Sequence, residues 1–174
     1  EQPYVNIKVE YAKDFEEGES INVYDTQSGE IVKMNLEDYT FHVLAGEMFA
    51  EYDEEALKAQ ACAIRSYAIY KKQHGGCTAN GGDICTDYHS CLAYLREDEF
   101  TSRFGEGKEL EYENKLRKAV LDTKGQVIVC DGEVINAIFH SNSGGMTEDV
   151  KNVWGSDESY LKSVTSDEKE DSFK

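Results

Sequence analysis

The segment 53–73 constrains the fold more than any other, because an unbroken helical pattern runs through it. Its apolar residues recur at steps of four, three and four, as Leu57, Ala61, Ile64 and Ala68. This spacing places them on one stripe of a helix that faces a core. Asp53 can cap the first turn, where two glutamates follow at the positive end of the helix. Because the stripe contains alanines, neighbouring elements can approach this helix closely.

Shorter patterns before this helix predict strands and one further helix. Apolar and polar residues alternate over 4–11, and apolar residues recur near 21–23 and over 31–34. These patterns predict strands that form one small antiparallel sheet. Asn35 can cap a short helix that ends near Gly46.

The second half of the chain adds a helix and a hairpin. The helix is expected over 109–124 with Gly125 as its stop, and the Asp131-Gly132 pair predicts the hairpin turn. We therefore predict an α+β fold, with helices packed on small antiparallel sheets in one bilobed domain that contains a cleft. We expect residues 1–34 to be mainly β, 35–125 mainly helical, and 126–164 a hairpin followed by a loop.

The charge of the chain excludes one class of partner. Against 18 Lys and Arg stand 35 Asp and Glu, which gives a formal charge of −17. Such a chain repels phosphate backbones, so we expect no nucleic-acid partner. No apolar run approaches the ~18 residues that cross a bilayer, so no membrane segment is predicted in this sequence.

Five cysteines are present, so they cannot all pair within the chain. Cys62 and Cys130 lie in apolar patterns and are predicted to be small buried residues. The other three share the glycine-rich loop 74–91 with His74 and a second histidine. Such density favours a structural zinc site with the ligands Cys77, Cys85, His89 and Cys91. A disulfide from Cys85 to Cys91 or to Cys77, and free thiols, are the alternatives.

Two cations share a face of the predicted long helix beside its core stripe. Lys58 lies one turn after Glu54, so an ordinary surface ion pair explains it as well as a binding role does. Arg65 has no acid one turn away in either direction. Its guanidinium must therefore find a partner elsewhere in the fold or in a ligand.

Glu47 stands alone after a glycine, between Ala45 and Met48. Apolar surroundings favour the protonated form of a carboxyl, which a general acid requires. Glu47 is therefore a candidate proton donor, and a solvated surface acid is the alternative.

A second concentration of polar residues follows the hairpin. This loop consists of Ser141, Asn142, Ser143, Gly144 and Gly145. Its two glycines can aim backbone N–H groups at a ligand, and the side chains of its serines and asparagine suit sugar hydroxyls. A flexible turn is the alternative for this loop. Trp154 is the only tryptophan of the sequence. Its side chain offers a flat face to a sugar ring, and a place in the core is the alternative.

Several separated blocks of this sequence together resemble the SpoIID family of sporulation lytic transglycosylases, whose wider relatives include LytB-type amidase enhancers. They occur in the family's order between about Leu36 and Val164, as GEM, EALKAQACAIRSYA, FHSNSGG, VWG and YLKSV. Phe49 stands where the family commonly has proline. Family members usually continue past the last block, so we expect this chain to be truncated.

The resemblance implies a peptidoglycan lytic transglycosylase that cuts glycan strands lacking stem peptides, beside an amidase, during engulfment. It implies an extracytoplasmic site at the engulfing mother-cell membrane, with an anchor outside this sequence. Glu47 matches the family's catalytic glutamate, and the loop 141–145 matches its substrate-side loop. Lys58, Arg65 and Lys162 match basic positions of its groove.

One glutamate suffices for this chemistry. A lytic transglycosylase uses the C6 hydroxyl of muramic acid as nucleophile, so one residue can first donate and then accept a proton. No catalytic cofactor is needed. An ordinary hydrolase that pairs Glu47 with Glu51 or Asp53, and a non-catalytic glycan-binding enhancer of an amidase, are the alternatives.

Overall fold

The computed structural model describes residues 6–12, 19–77 and 81–166, and these adopt the predicted α+β class. The strands are β1 (Ile7–Tyr11), β2 (Ser20–Asp25), β3 (Glu30–Asn35), β4 (Ile84–Cys85), β5 (Gln126–Cys130) and β6 (Glu133–Val134). The helices are α1 (Leu36–Glu47), α2 (Glu54–Gln73), α3 (Phe100–Phe104), α4 (Glu109–Asp122) and α5 (Val150–Trp154), with a 3-10 turn at Glu97–Glu99. In these ranges no helix combines the length and apolar character needed to cross a membrane.

Helix α2 buries its apolar stripe in the core, as predicted. Asp53 caps it by accepting a hydrogen bond from the Glu55 N–H at 2.9 Å. All members of its apolar stripe are fully buried: Leu57, Ala61, Ile64 and Ala68. Helices α1 and α4 pack against α2, and strand β5 covers it from another side.

The strands form two sheets, which corrects the prediction of one N-terminal sheet. β2 pairs with β3 antiparallel and with β4 parallel, whereas β1 pairs with β5 in a separate sheet with β6. Alternation identifies a strand and leaves its partner undetermined, which is why the pairing was missed. The prediction that β1 is half-buried is also wrong, since Ile7 is 48% and Tyr11 70% exposed. Residues 4 and 5 of that predicted strand lie outside the described ranges.

The predicted hairpin turn is confirmed at the β5–β6 connection. Asp131 and Gly132 have positive φ values of 52° and 85°, which aspartate and glycine tolerate best. After β6 the chain continues without further strands through the described residues to the loop 141–145 and α5.

Arg65 is an integral part of the core, which corrects its assignment as a substrate contact. Its side chain has no exposed surface, and Nη2 donates to Glu37 Oε2 at 2.6 Å. The same guanidinium donates to the carbonyl oxygens of Gln126 at 2.9 Å and Val120 at 3.3 Å. Arg65 therefore joins α1, α2, α4 and β5. The acid that pairs with it lies 28 residues away in sequence, beyond the reach of any helix-spacing rule.

Arg65→Met should lower the free energy of unfolding by about 3–5 kcal/mol, because it leaves the Glu37 carboxylate buried without its cation. Chemical denaturation followed by circular dichroism measures this loss. Lys118→Met is the control, because Lys118 forms a solvent-exposed pair with Asp122 and should lose less than about 1 kcal/mol. Equal losses in the two variants would contradict the structural role of Arg65.

Candidate functional site

Glu47 is the last residue of α1, and its carboxylate is held against the chain segment 91–95. Oε1 accepts a hydrogen bond of 2.7 Å from the Ala93 N–H. The side chain is half-buried, and among the described residues no donor is assigned to Oε2. One carboxylate oxygen is therefore fixed by the backbone while the other has no protein partner in that part of the chain.

The glycine before Glu47 is required by the same contact. A Cβ at Gly46 would lie 2.5 Å from the Ala93 carbonyl oxygen, a distance at which the backbone must move. Gly46 and Glu47 therefore act together. Gly46 lets the segment 91–95 approach α1, and Glu47 accepts the hydrogen bond from the Ala93 N–H of that segment.

His42 fixes the segment 91–95 from a second point on α1. Its carbonyl oxygen accepts from the Leu95 N–H at 3.0 Å, and its Nδ1 lies 2.7 Å from the Leu95 carbonyl oxygen. Because a carbonyl oxygen only accepts, Nδ1 carries the proton. Burial lowers the pKa of His42, and the hydrogen bond to Leu95 opposes that shift in part.

Arg103 closes the end of α1, and the sequence patterns did not indicate this role. Its guanidinium donates to the carbonyl oxygens of Ala45, Gly46 and Met48, each at 3.3 Å. It also lies 4.5 Å from the centre of the Phe49 ring. The helix carbonyls around Glu47 are therefore occupied by a cation from α3.

Two clefts that share lining residues have volumes of about 480 and 600 Å³. They share the lining residues Ile138, Phe139, Val150 and Trp154. Leu92, next to Ala93, lines the smaller cleft, while Glu47 itself lines neither. Trp154 is 63% exposed, which excludes a core role and leaves its ring face available to a ligand.

The loop 141–145 lies at the larger cleft through Asn142 and Ser143. Its glycine N–H groups are not aimed at a ligand, contrary to prediction. Asn142 Oδ1 accepts from Gly144 N at 2.6 Å, and Ser143 Oγ accepts from Gly145 N at 3.2 Å. The glycines have φ values of 69° and 96°, so they serve the turn itself. Ser141 is exposed.

The other two predicted cations are paired with acids. Lys58 Nζ lies 2.9 Å from Glu55 and 3.4 Å from Asp122, so its partners differ from the expected Glu54. Lys162 lines the larger cleft and pairs with Asp157 and Asp149. In the described chain, no hydrogen bond or ion pair joins Glu47 to either lysine, to Arg65 or to the loop 141–145.

Three of the predicted metal ligands come together. The Sγ atoms of Cys77, Cys85 and Cys91 all lie within 4.8 Å of one another, and the last two are 3.2 Å apart. His89 does not join them: it is exposed, and its ring lies tilted against that of Tyr88, with ring centres 3.9 Å apart. All five cysteines are free, and the predicted burial of Cys62 and Cys130 is confirmed.

The surroundings of these thiols fit a soft cation. Burial raises the pKa of the Cys85 and Cys91 thiols, so they stay protonated without a metal ion. The hydroxyl of Tyr39 is fully buried and has no partner among the described residues. Burial raises the pKa of this hydroxyl, and the charge of a Cys91 thiolate would raise it further. Thiolates formed on metal binding are stronger acceptors that such a hydroxyl could donate to. The cluster could therefore hold a metal ion.

The fold and site thus define an α+β domain in which the segment 91–95 connects a backbone-held glutamate, an aromatic cleft and a three-thiol cluster. Comparison with known proteins identifies the family. The model of the SpoIID family, described as stage II sporulation protein, matches residues 24–130, and the chain belongs to this family.

Individual relatives agree with this assignment. Stage II sporulation protein D of Bacillus subtilis is 35% identical over 151 residues, which cover 84% of this chain and 43% of the relative. Its counterpart from Bacillus amyloliquefaciens is 32% identical with the same coverage. The amidase enhancer of Bacillus subtilis is 34% identical over 119 residues, 68% of this chain and 14% of that protein. The chain therefore spans less than half the length of these relatives.

Gly46→Ala tests the close approach of the segment 91–95. In an open helix this change would stabilise the protein by roughly 1 kcal/mol through helix propensity. Here we expect a net loss of roughly 1–3 kcal/mol, because the new methyl group meets the Ala93 carbonyl. Equilibrium urea unfolding measures the sign. A gain in stability would show that the segment does not depend on this contact.

Proposed function

We propose that this domain is a peptidoglycan lytic transglycosylase that cleaves glycan strands lacking stem peptides, with Glu47 as its single general acid and base. The observation that carries the proposal is the Glu47 carboxylate, held at one oxygen by Ala93 and without a described partner at the other. Membership of a sporulation family supports the substrate class.

The chemistry needs one proton carrier and no water. Protonated Glu47 donates to the glycosidic oxygen as the bond from that oxygen to C1 of muramic acid breaks. The C6 hydroxyl of the same sugar then attacks C1 and forms the 1,6-anhydro ring, while its proton returns to the Glu47 carboxylate. The enzyme ends in its starting protonation state, so no second carboxyl is required.

The clefts supply the binding groups. Trp154 offers its exposed face to a sugar ring, and Ser141, Asn142 and Ser143 offer polar groups to its hydroxyls. Lys162 lines the larger cleft and remains a predicted contact. Lys58 lines neither of the two clefts and also remains a predicted contact. Gly144 and Gly145 contribute the turn rather than free N–H groups.

We also propose that Cys77, Cys85 and Cys91 bind a structural zinc ion. Three thiolates would hold the ion where the segment 81–91 packs on the core, close to the segment that contacts Glu47. The zinc ion would order the chain and take no part in the reaction, so Glu47 remains the proposed proton donor.

The setting proposed for the complete protein follows from its relatives. Sporulation relatives support a role in engulfment. The family resemblance implies that this role is carried out at an extracytoplasmic site by the mother-cell membrane, with an anchor outside this sequence. A relative named amidase enhancer supports cooperation with an amidase. That relative also favours a second candidate function, a glycan-binding module that enhances an amidase without cleaving. Anhydro-ended products separate the two candidates, since only the enzyme makes them.

Glu47→Gln should abolish anhydro-ended products from stem-free glycan strands. The amide cannot supply the proton, yet its oxygen can still accept from Ala93, so the variant should stay folded. Liquid chromatography with mass spectrometry measures the products.

Glu51→Gln is the matched control, because Glu51 is exposed and accepts a hydrogen bond of 2.9 Å from the Tyr112 hydroxyl. It should retain activity. An active Glu47→Gln protein would disprove the general-acid role. Inactivity of both variants, with reducing ends in the wild type, would favour a hydrolase that uses two carboxyl groups.

Cys85→Ser should abolish binding of zinc, which the wild type should take up at one ion per chain. Metal analysis after dialysis measures the zinc bound per chain, and thiol counting measures the cysteines that are left free. Cys62→Ser, which changes a buried cysteine outside the cluster, should bind zinc like the wild type. A metal-free wild type in zinc-containing buffer would disprove the site.

A further inference from the structure

Lys71 is a cation of the smaller cleft that has no acidic partner in the described ranges. It lies on α2, is half-buried, and its Nζ is 5.6 Å from the centre of the Tyr67 ring. The next residue provides a contrast: Lys72 Nζ lies 2.8 Å from Glu19 Oε1 and 2.9 Å from the Ser20 carbonyl oxygen. Two adjacent lysines thus differ in whether an acid neutralises them.

This difference matters because the chain carries a formal charge of −17. An anionic ligand is repelled unless a local cation is left uncompensated. The cations that the sequence predicted as ligand contacts are each paired with an acid. Arg65 pairs with Glu37, Lys58 with Glu55 and Lys162 with Asp157. Lys71 is therefore the better candidate for an anion.

The cleft around Lys71 suits a sugar that carries an acid. Trp154 lines the same cleft with an exposed ring, which can stack on a pyranose. Leu92 lies beside Ala93, whose N–H group holds Glu47. A ligand in this cleft is thus next to the segment that fixes the proposed proton donor.

We propose that Lys71 binds the lactyl carboxylate of muramic acid and thereby selects glycan strands without stem peptides. The inference rests on the proposed function. Its chemical basis is that a stem peptide converts this carboxylate into a neutral amide, which removes the charge that an ammonium group recognises. Lys71 would therefore discriminate by charge.

The thiol cluster borders the cleft that contains Lys71, because Cys91 lines this cleft. A metal–thiolate cluster would carry negative charge, so zinc affinity belongs in the test.

The experiment compares Lys71→Gln with Lys72→Gln, both in a Glu47→Gln background that prevents cleavage. The ligands are a stem-free tetrasaccharide of alternating N-acetylglucosamine and N-acetylmuramic acid, the same glycan with stem peptides, and neutral chitotetraose. Calorimetry in zinc-loaded protein measures the affinities. Lys71→Gln should bind the stem-free glycan about tenfold more weakly and chitotetraose unchanged. Lys72→Gln should match its parent, Lys71→Arg should restore the preference, and added salt should reduce it.

Three results would overturn the inference. One is equal loss of affinity for the carboxylate-bearing and neutral glycans, and another is an equal effect of Lys72→Gln. The third is weaker zinc binding by Lys71→Gln with glycan preference intact, which would assign Lys71 to the thiol cluster. A parent protein that binds none of the glycans overturns the proposed function together with this inference. Glycan binding that does not depend on Lys71 overturns the inference alone.

Discussion

The hydrogen bond from Ala93 N–H to Glu47 is the interaction on which the site depends. It can form only because Gly46 lets the segment 91–95 approach the end of α1. His42 binds the same segment at Leu95, and Arg103 occupies the carbonyl oxygens around Glu47. A single carboxylate is thus positioned by backbone groups on fixed elements, which is what a one-residue proton shuttle needs.

The cysteine cluster and the carboxylate share this segment. Cys91 begins it, with its sulfur beside Cys85, and Ala93 follows two residues later. A metal ion on the three thiols would therefore restrain the chain next to Glu47 without contributing to the reaction. Cys91 and Leu92, from the same segment, line the smaller cleft. This arrangement links the ordering of a loop to the placement of the proposed proton donor.

The features that could be predicted from the sequence were those that the local spacing of residues determines. The stripe of α2, the Asn35 and Asp53 caps, the hairpin turn and the gathering of three cysteines were all predicted. Strand pairing was not, because β1 meets β5 across more than a hundred residues of chain. Arg65 was misassigned for the same reason, since its acid comes from α1. The free cation Lys71 was missed because pairing, which the fold decides, distinguishes it from Lys72.

The central claim is that Glu47 drives an intramolecular ring closure with no water molecule consumed. Digestion of stem-free glycan in water enriched in oxygen-18, followed by mass spectrometry of the new ends, tests it most directly. We expect anhydro ends that contain no heavy oxygen. Reducing ends that carry the heavy isotope would show hydrolysis and contradict the claim.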